Sequence, residues 1–190
     1  TESRLIIGSR NVIREFATIH RATTPGGATR IGDDCFLMAH SHVAHDCRLD
    51  DGVTLCNNAL LAGHVQVGRR AFVSGNVVVH QFTRIGELCM ISGGSAVGQD
   101  VLPYCTVTGR SQVRSMNVVG MRRAGINQAH RQAIKQACRA FFAARHDLAI
   151  AQLAFEEAPD LPEIRVLRDF VAAGSKRGYA RPPRGRVEED

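Results

Sequence analysis

Four of the eight histidines, His42, His45, His64 and His80, fall in one stretch of the chain, and Asp46 directly follows His45. An imidazole, with an ordinary pKa near 6.5, is the side chain best suited to act as a general base at neutral pH. A carboxylate beside it can orient the ring and support the imidazolium that forms when it takes a proton. Gly63, just before His64, offers a backbone N–H with no side chain in the way, the kind of donor that stabilises a developing oxyanion. No Ser or Cys stands out among these residues as a nucleophile, so direct transfer assisted by a base fits better than a covalent intermediate. Two other readings use the same residues. One is a polar ladder that stabilises the fold, and the other is a zinc site built from histidines of adjacent subunits.

Which of these groups can meet depends on the elements that carry them, and here the sequence has a strict period. Stepping by six from Ile31 gives Leu37, Val43, Leu49, Leu55, Leu61, Val67, Val73, Val79, Ile85, Ile91 and Val97, all aliphatic. Four residues after each stands a small side chain, from Cys35, Ser41 and Cys47 through to Cys89, Ser95 and Val101. Ile7, Ile13 and Ile19 continue the phase upstream of a loop at 23–29. Hexapeptide periodicity of this length predicts a parallel β-helix, in which each hexad is a short strand plus a turn and three hexads close a triangular coil. The aliphatic residue points into the prism, and the small one packs beside it near the corner. Cys35, Cys47 and Cys89 lie in that small column and read as buried packing residues.

Residues eighteen apart then occupy equivalent places in successive coils, which stack at about 4.8 Å. Asp46 lies under His64, His45 under Gly63, and Gly63 under Gln81; Ala44 and Ala62 lie under His80. His45, Asp46, Gly63, His64, His80 and Gln81 therefore form one ridge, with His42 at its approach.

At Pro103 and Tyr104 the sixfold pattern fades. Residues 128–144 read as an amphipathic helix with Asn127 as its N-cap, 148–157 as a second helix, and 162–173 as a third with Pro in its first turn. The expected organisation is a β-helix over 1–108, a helical subdomain over 109–174 and a loose tail over 175–190. Within a 190-residue chain that is 44% hydrophobic and 22% charged, with 5% aromatics, no Trp and 18 Gly, this implies a folded domain with a thin aliphatic core. No apolar run is long enough to span a bilayer and no signal peptide opens the sequence, so no transmembrane segment is expected. Six Cys without CxxC or framework spacing suit the cytoplasm. The net charge of +6 is uneven: from Val101 to His146 there is no acidic residue and there are eight basic ones, which predicts an acidic partner or anionic ligand. The stretch lacks the interleaved aromatics of a nucleic-acid site.

The segments RNVIREFATIHRAT, HSHVAHDC, CNNALLAGHVQV, VVVHQF and GGSAVGQDVLPY closely resemble the acyl-acyl carrier protein-dependent UDP-N-acetylglucosamine O-acyltransferases of lipid A biosynthesis. The match continues through NVVGMRRAGI and RDFVAAGSKRGYAR, covering most of residues 1–181. The resemblance implies a left-handed β-helix, a homotrimer with active sites between subunits, and acyl carrier protein as the acidic partner, with no cofactor or metal. It implies that His45 is the general base on the sugar 3-hydroxyl, Asp46 its hydrogen-bonding partner, and Gly63 the oxyanion donor. By the same resemblance His20, His42, His64, His80, Gln81 and Asn117 are substrate contacts, and Arg122 and Arg123 approach the nucleotide phosphates. Gly93 matches the residue that limits acyl length, and a glycine there implies a chain longer than ten carbons. The family starts with further coils that this sequence lacks, which implies either a fragment of a longer chain or a naturally short form.

Overall fold

A computed structural model describes residues 2–144 and 148–183. Its body is a three-faced parallel β-solenoid. One face holds β1 (Arg4–Ile7), β4 (Ala28–Ile31), β7 (Arg48–Leu49), β10 (Gln66–Val67) and β13 (Arg84–Ile85). The second holds β2 (Val12–Ile13), β5 (Phe36–Leu37), β8 (Thr54–Leu55), β11 (Phe72–Val73) and β14 (Met90–Ile91). The third holds β3 (Thr18–Ile19), β6 (His42–Val43), β9 (Leu60–Leu61), β12 (Val78–Val79) and β15 (Ala96–Val97). Each strand from β1 to β12 is parallel to the one three elements on, and from β4 to β12 the partners are eighteen residues apart, as in Arg30 with Arg48 and Val43 with Leu61.

The period has a direct physical readout. All twelve aliphatic positions from Ile31 to Val97 are at most 3% exposed, and the twelve small positions from Cys35 to Val101 are at most 1% exposed. Two columns of side chains thus fill the prism without aromatics. Ser41, Thr83 and Ser95 stand in the small column with hydroxyls that find no partner among the described residues, so their size rather than their polarity suits the corner.

The first coil is longer than the rest. β1 pairs with β4 at a spacing of twenty-four residues, Arg4 with Ala28. The insertion is one hexad long, so the phase survives it.

Beyond the hexads the chain closes the prism with a strand the period does not announce. β16 (Cys105–Thr108) continues the second face, and β17 (Gln112–Met116) turns back antiparallel to it. Four helices follow: α1 (Val118–Arg123), α2 (Gln128–Ala143), α3 (Leu148–Glu156) and α4 (Pro162–Ala172). Asn127 caps α2 through its side chain, as expected. Ile134, Phe141, Phe155, Ile164 and Leu167 form the subdomain's core. The tail expected from residue 175 is in part docked: Tyr179 bridges to Asp100, Arg181 bridges to Gln112, and Ala180 is fully buried. A Gly-rich, charged composition concealed this, although both main-chain bridges and side-chain packing hold the segment: Tyr179 is 6% exposed and meets the Phe141 ring at 5.5 Å. Residues 184–190 of that tail, and Arg145 of the basic stretch, lie outside the described residues.

Candidate active site

The corner after β6 carries His45 and Asp46, and the corner after β9 carries Gly63 and His64 directly above them. Asp46, His64 and Phe82 all adopt left-handed backbone, with φ of 60°, 61° and 64°, so three successive coils turn at the same place. The main chain ties these corners together, His64 N–H donating to His45 O at 3.0 Å and Phe82 N–H to Gly63 O at 3.1 Å.

His45 Nδ1 lies 2.9 Å from Asp46 Oδ2. The Asp46 side chain is 9% exposed and also accepts from Thr23 Oγ1 at 2.6 Å and Thr23 N at 3.1 Å. Burial pushes its carboxyl up, but the hydrogen bonds from Thr23 and His45 outweigh that and hold it well below the usual carboxylate range. An ionised carboxylate can only accept, so the His45 proton sits on Nδ1 and the lone pair on Nε2 is free to act as a base. The imidazole lies over Gly63: a methyl group there would be 2.7 Å from Nε2. The Gly63 N–H donates to no group among the described residues. An imidazole able to take a proton and a free N–H able to meet an oxyanion are therefore adjacent.

His64 completes the corner. Its Nε2 is 3.9 Å from Asp46 Oδ2, it meets His45 edge to face, and it stacks on Phe82 with ring centroids 4.6 Å apart. Phe82 was not anticipated, although eighteen residues beyond His64 the register places it there. Thr23 was not anticipated either, and the six-residue period carries no signal for it.

His20 and His42 meet edge to face at 4.7 Å, and Thr18 Oγ1 is 2.7 Å from His42 Nδ1. Burial, with the neighbouring His20 second, lowers the pKa of His42, so it is neutral at pH 7. His20 and His45 line one open cleft of about 580 Å³ together with Ile19, Arg21 and Thr23. His80 and Gln81 are exposed above, with His80 Nδ1 3.1 Å from Gln81 O.

The remaining expected residues stand elsewhere in the chain. Gly93 is exposed in the turn after β14. Asn117 caps α1, accepting from Gly120 N at 2.9 Å and donating to Leu88 O at 2.7 Å. Arg122 and Arg123 are exposed in the last turn of α1. A single chain thus brings His20, His42, His45, Asp46, Gly63 and His64 together, while Asn117, Arg122 and Arg123 stand at the far side of the hexads, on or before α1.

His45, Asp46 and His64 offer ligand atoms within 4.8 Å of one another, a set able to hold a metal ion. Asp46 Oδ2 already accepts from Thr23 and His45, so Oδ1, met among the described residues by Thr24 N at 3.4 Å, is the oxygen an ion would take.

Comparison with known proteins agrees with the fold. A family model described as UDP-N-acetylglucosamine O-acyltransferase, domain 2, matches residues 100–180, and one described as bacterial transferase hexapeptide (six repeats) matches residues 28–63. An acyl-acyl carrier protein–UDP-N-acetylglucosamine O-acyltransferase of Alkalilimnicola ehrlichii is 45% identical over 185 residues, which are 94% of this chain and 70% of the relative. The chain belongs to the UDP-N-acetylglucosamine O-acyltransferase family. A relative of the same name from Campylobacter concisus is 52% identical over 124 residues, 64% of this chain but only 47% of that protein's length. The chain thus spans about half the length of one relative and about 70% of the other. The solved UDP-N-acetylglucosamine acyltransferase of Campylobacter jejuni superposes with a TM-score of 0.86 at 38% identity, covering 94% of this chain and 71% of that one. The shared fold of the acyltransferase family is the left-handed parallel β-helix with a helical C-terminal subdomain.

Proposed function

We propose that this chain transfers an R-3-hydroxyacyl group from acyl carrier protein to the 3-hydroxyl of UDP-N-acetylglucosamine, the first step of lipid A biosynthesis. The observation that carries the reading is the His45 imidazole, bonded to an ionised Asp46 through Nδ1 and laid over Gly63. Nε2 of His45 takes the proton of the sugar hydroxyl as its oxygen attacks the thioester carbonyl. The oxyanion that forms is met by the Gly63 N–H. On collapse the C–S bond breaks, and the imidazolium returns its proton to the departing thiol. Such a base contributes on the order of 10²–10⁴ to the rate.

The other roles follow the resemblance. His20, His42, His64, His80 and Gln81 contact sugar and acyl chain, Asn117 meets nucleotide or acyl chain, and Arg122 and Arg123 face the UDP phosphates. Gly93 leaves the acyl groove open for a chain longer than ten carbons. The basic stretch receives acyl carrier protein. The working form is a cytoplasmic homotrimer, which joins residues that one chain holds apart. Leu60 and Val78, 41% and 46% exposed beside His42 on the third face, supply apolar surface for that contact. No helix among the described residues is long and apolar enough to cross a membrane.

The test is acyl transfer by the purified chain from 3-hydroxyacyl carrier proteins of several lengths to UDP-N-acetylglucosamine. Length-selective product that disappears in His45→Ala, with the trimer intact, supports the reading. Near-normal turnover in that variant sinks it.

A further inference from the structure

We propose that Thr23 is a positioning residue for the transfer reaction, locking the His45–Asp46 pair into the tautomer that leaves Nε2 basic. The inference rests on the acyltransferase reading above. Its starting point is the insertion in the first coil, between Ile19 and Ala28. This loop is pinned to the strand below it: Ala22 N–H donates to Arg4 O at 3.1 Å, Gly26 N–H to Glu2 O at 2.7 Å, and the Ser3 hydroxyl to Ala22 O. Ala22 is buried, so the loop has an anchor inside the fold as well as main-chain ties. The next residue, Thr23, is thereby held against the corner of the following coil.

Its hydroxyl has one proton and two nearby claims on it. Asp46 Oδ2 is 2.6 Å away and His45 Nδ1 is 3.4 Å away. The carboxylate takes the proton, by distance and because it can only accept. The Thr23 oxygen then presents lone pairs toward His45 Nδ1. With Asp46 Oδ2 on one side and Thr23 Oγ1 on the other, both groups facing Nδ1 favour a proton there, and neither favours one on Nε2. The Thr23 N–H, at 3.1 Å from the same carboxylate oxygen, stops the carboxylate from turning away, and the Asp46 main-chain N–H, 2.8 Å from Thr29 Oγ1, fixes the backbone that carries it. Thr23 touches the pair and need not touch the reacting atoms, which makes it a positioning residue.

Thr23→Val keeps the shape and the main-chain N–H and removes the hydroxyl, while Thr23→Ser keeps the hydroxyl. In Thr23→Val, kcat falls about tenfold to a hundredfold with KM for UDP-N-acetylglucosamine unchanged within about threefold, and Thr23→Ser returns kcat to within about threefold of the parent. Imidazole nitrogen NMR of the same proteins reads the tautomer without any turnover: His45 is protonated at Nδ1 in the parent and Thr23→Ser, and mixed in Thr23→Val. Unchanged kcat and tautomer in Thr23→Val, with an active parent, overturn the positioning role and leave the acyltransferase reading standing. A Thr23→Ser variant as slow as Thr23→Val also overturns it, since packing rather than the hydroxyl would then matter. If the parent shows no acyl transfer but the tautomer still mixes in Thr23→Val, the acyltransferase reading fails and the lock on the pair stands.

Discussion

The imidazole of His45 lies so close over Gly63 that a methyl group on the glycine would sit 2.5 Å from Cε1 and 2.7 Å from Nε2. The constraint is contact rather than backbone strain. Gly63→Ala can therefore fold, but it must push the base off the position that Asp46 and Thr23 set. A displacement near 1 Å at a reacting group costs on the order of a hundredfold. The expected result is at least that loss in kcat with a melting temperature close to the parent's. Turnover within a few-fold of the parent would show that His45 has another place from which to work.

Asp46→Asn tests the ion rather than the shape. An amide can donate as well as accept, so it no longer dictates which His45 nitrogen bears the proton. In triads of this kind the same change costs up to about 10⁴ in kcat, and about 10²–10⁴ is expected here. Hydrogen bonds hold the Asp46 carboxyl well below its usual range, so its contribution is present at all pH values above the ordinary carboxylate pKa and is lost only in stronger acid. The parent's rate should accordingly show no step between pH 4 and 5 assignable to Asp46.

Much of this was legible before any coordinates, for a physical reason. A solenoid repeats its environment every coil, so the inward positions from Ile31 to Val97 had to be aliphatic, and the register that follows placed Asp46 beneath His64. Phe82 was readable by the same step. Thr23 was not, because a loop pinned by main-chain bonds to Arg4 and Glu2 leaves no side-chain pattern. The β16–β17 turn escaped for the same reason, whereas the docking of 179–181 escaped because its buried side chains, Tyr179 and Ala180, belong to no period. Asn117 shows the opposite limit: resemblance assigns it to substrate, while within one chain its side chain also caps α1.

Arg84 and Asp100 join the β-helix to the helical subdomain. Asp100 is 1% exposed and receives Arg84 Nε at 2.8 Å, while Arg84 Nη1 donates to Phe170 O at 3.0 Å and the guanidinium lies 4.3 Å over the Phe170 ring. Arg84→Met strands a buried carboxylate, for which about 3–5 kcal/mol of lost stability is expected. Chemical denaturation measures it. A loss below about 1 kcal/mol would mean that Asp100 is satisfied by its main-chain partners alone.

Val78 projects from the third face beside Leu60, with His42 in the next coil. On the proposed trimer a charge in an apolar contact between subunits is costly, so Val78→Glu should shift the protein from trimer toward monomer in sedimentation, with acyl transfer falling in parallel. An intact trimer carrying this substitution would exclude that face from the subunit contact.

His42 carries a stability signature of its own. Burial and the neighbouring His20 lower its pKa from 6.5, so the folded protein resists the proton that the unfolded chain accepts. Well above pH 6.5 both states are neutral at this residue and nothing is lost. As the pH falls below that value the unfolded state gains protons first, and stability declines until the folded-state pKa is passed. His42→Asn removes the titration while leaving an acceptor for the Thr18 hydroxyl. The drop in melting temperature between pH 7.5 and 5.5 should therefore be smaller in the variant than in the parent. An equal drop in both would assign the acid sensitivity to other groups.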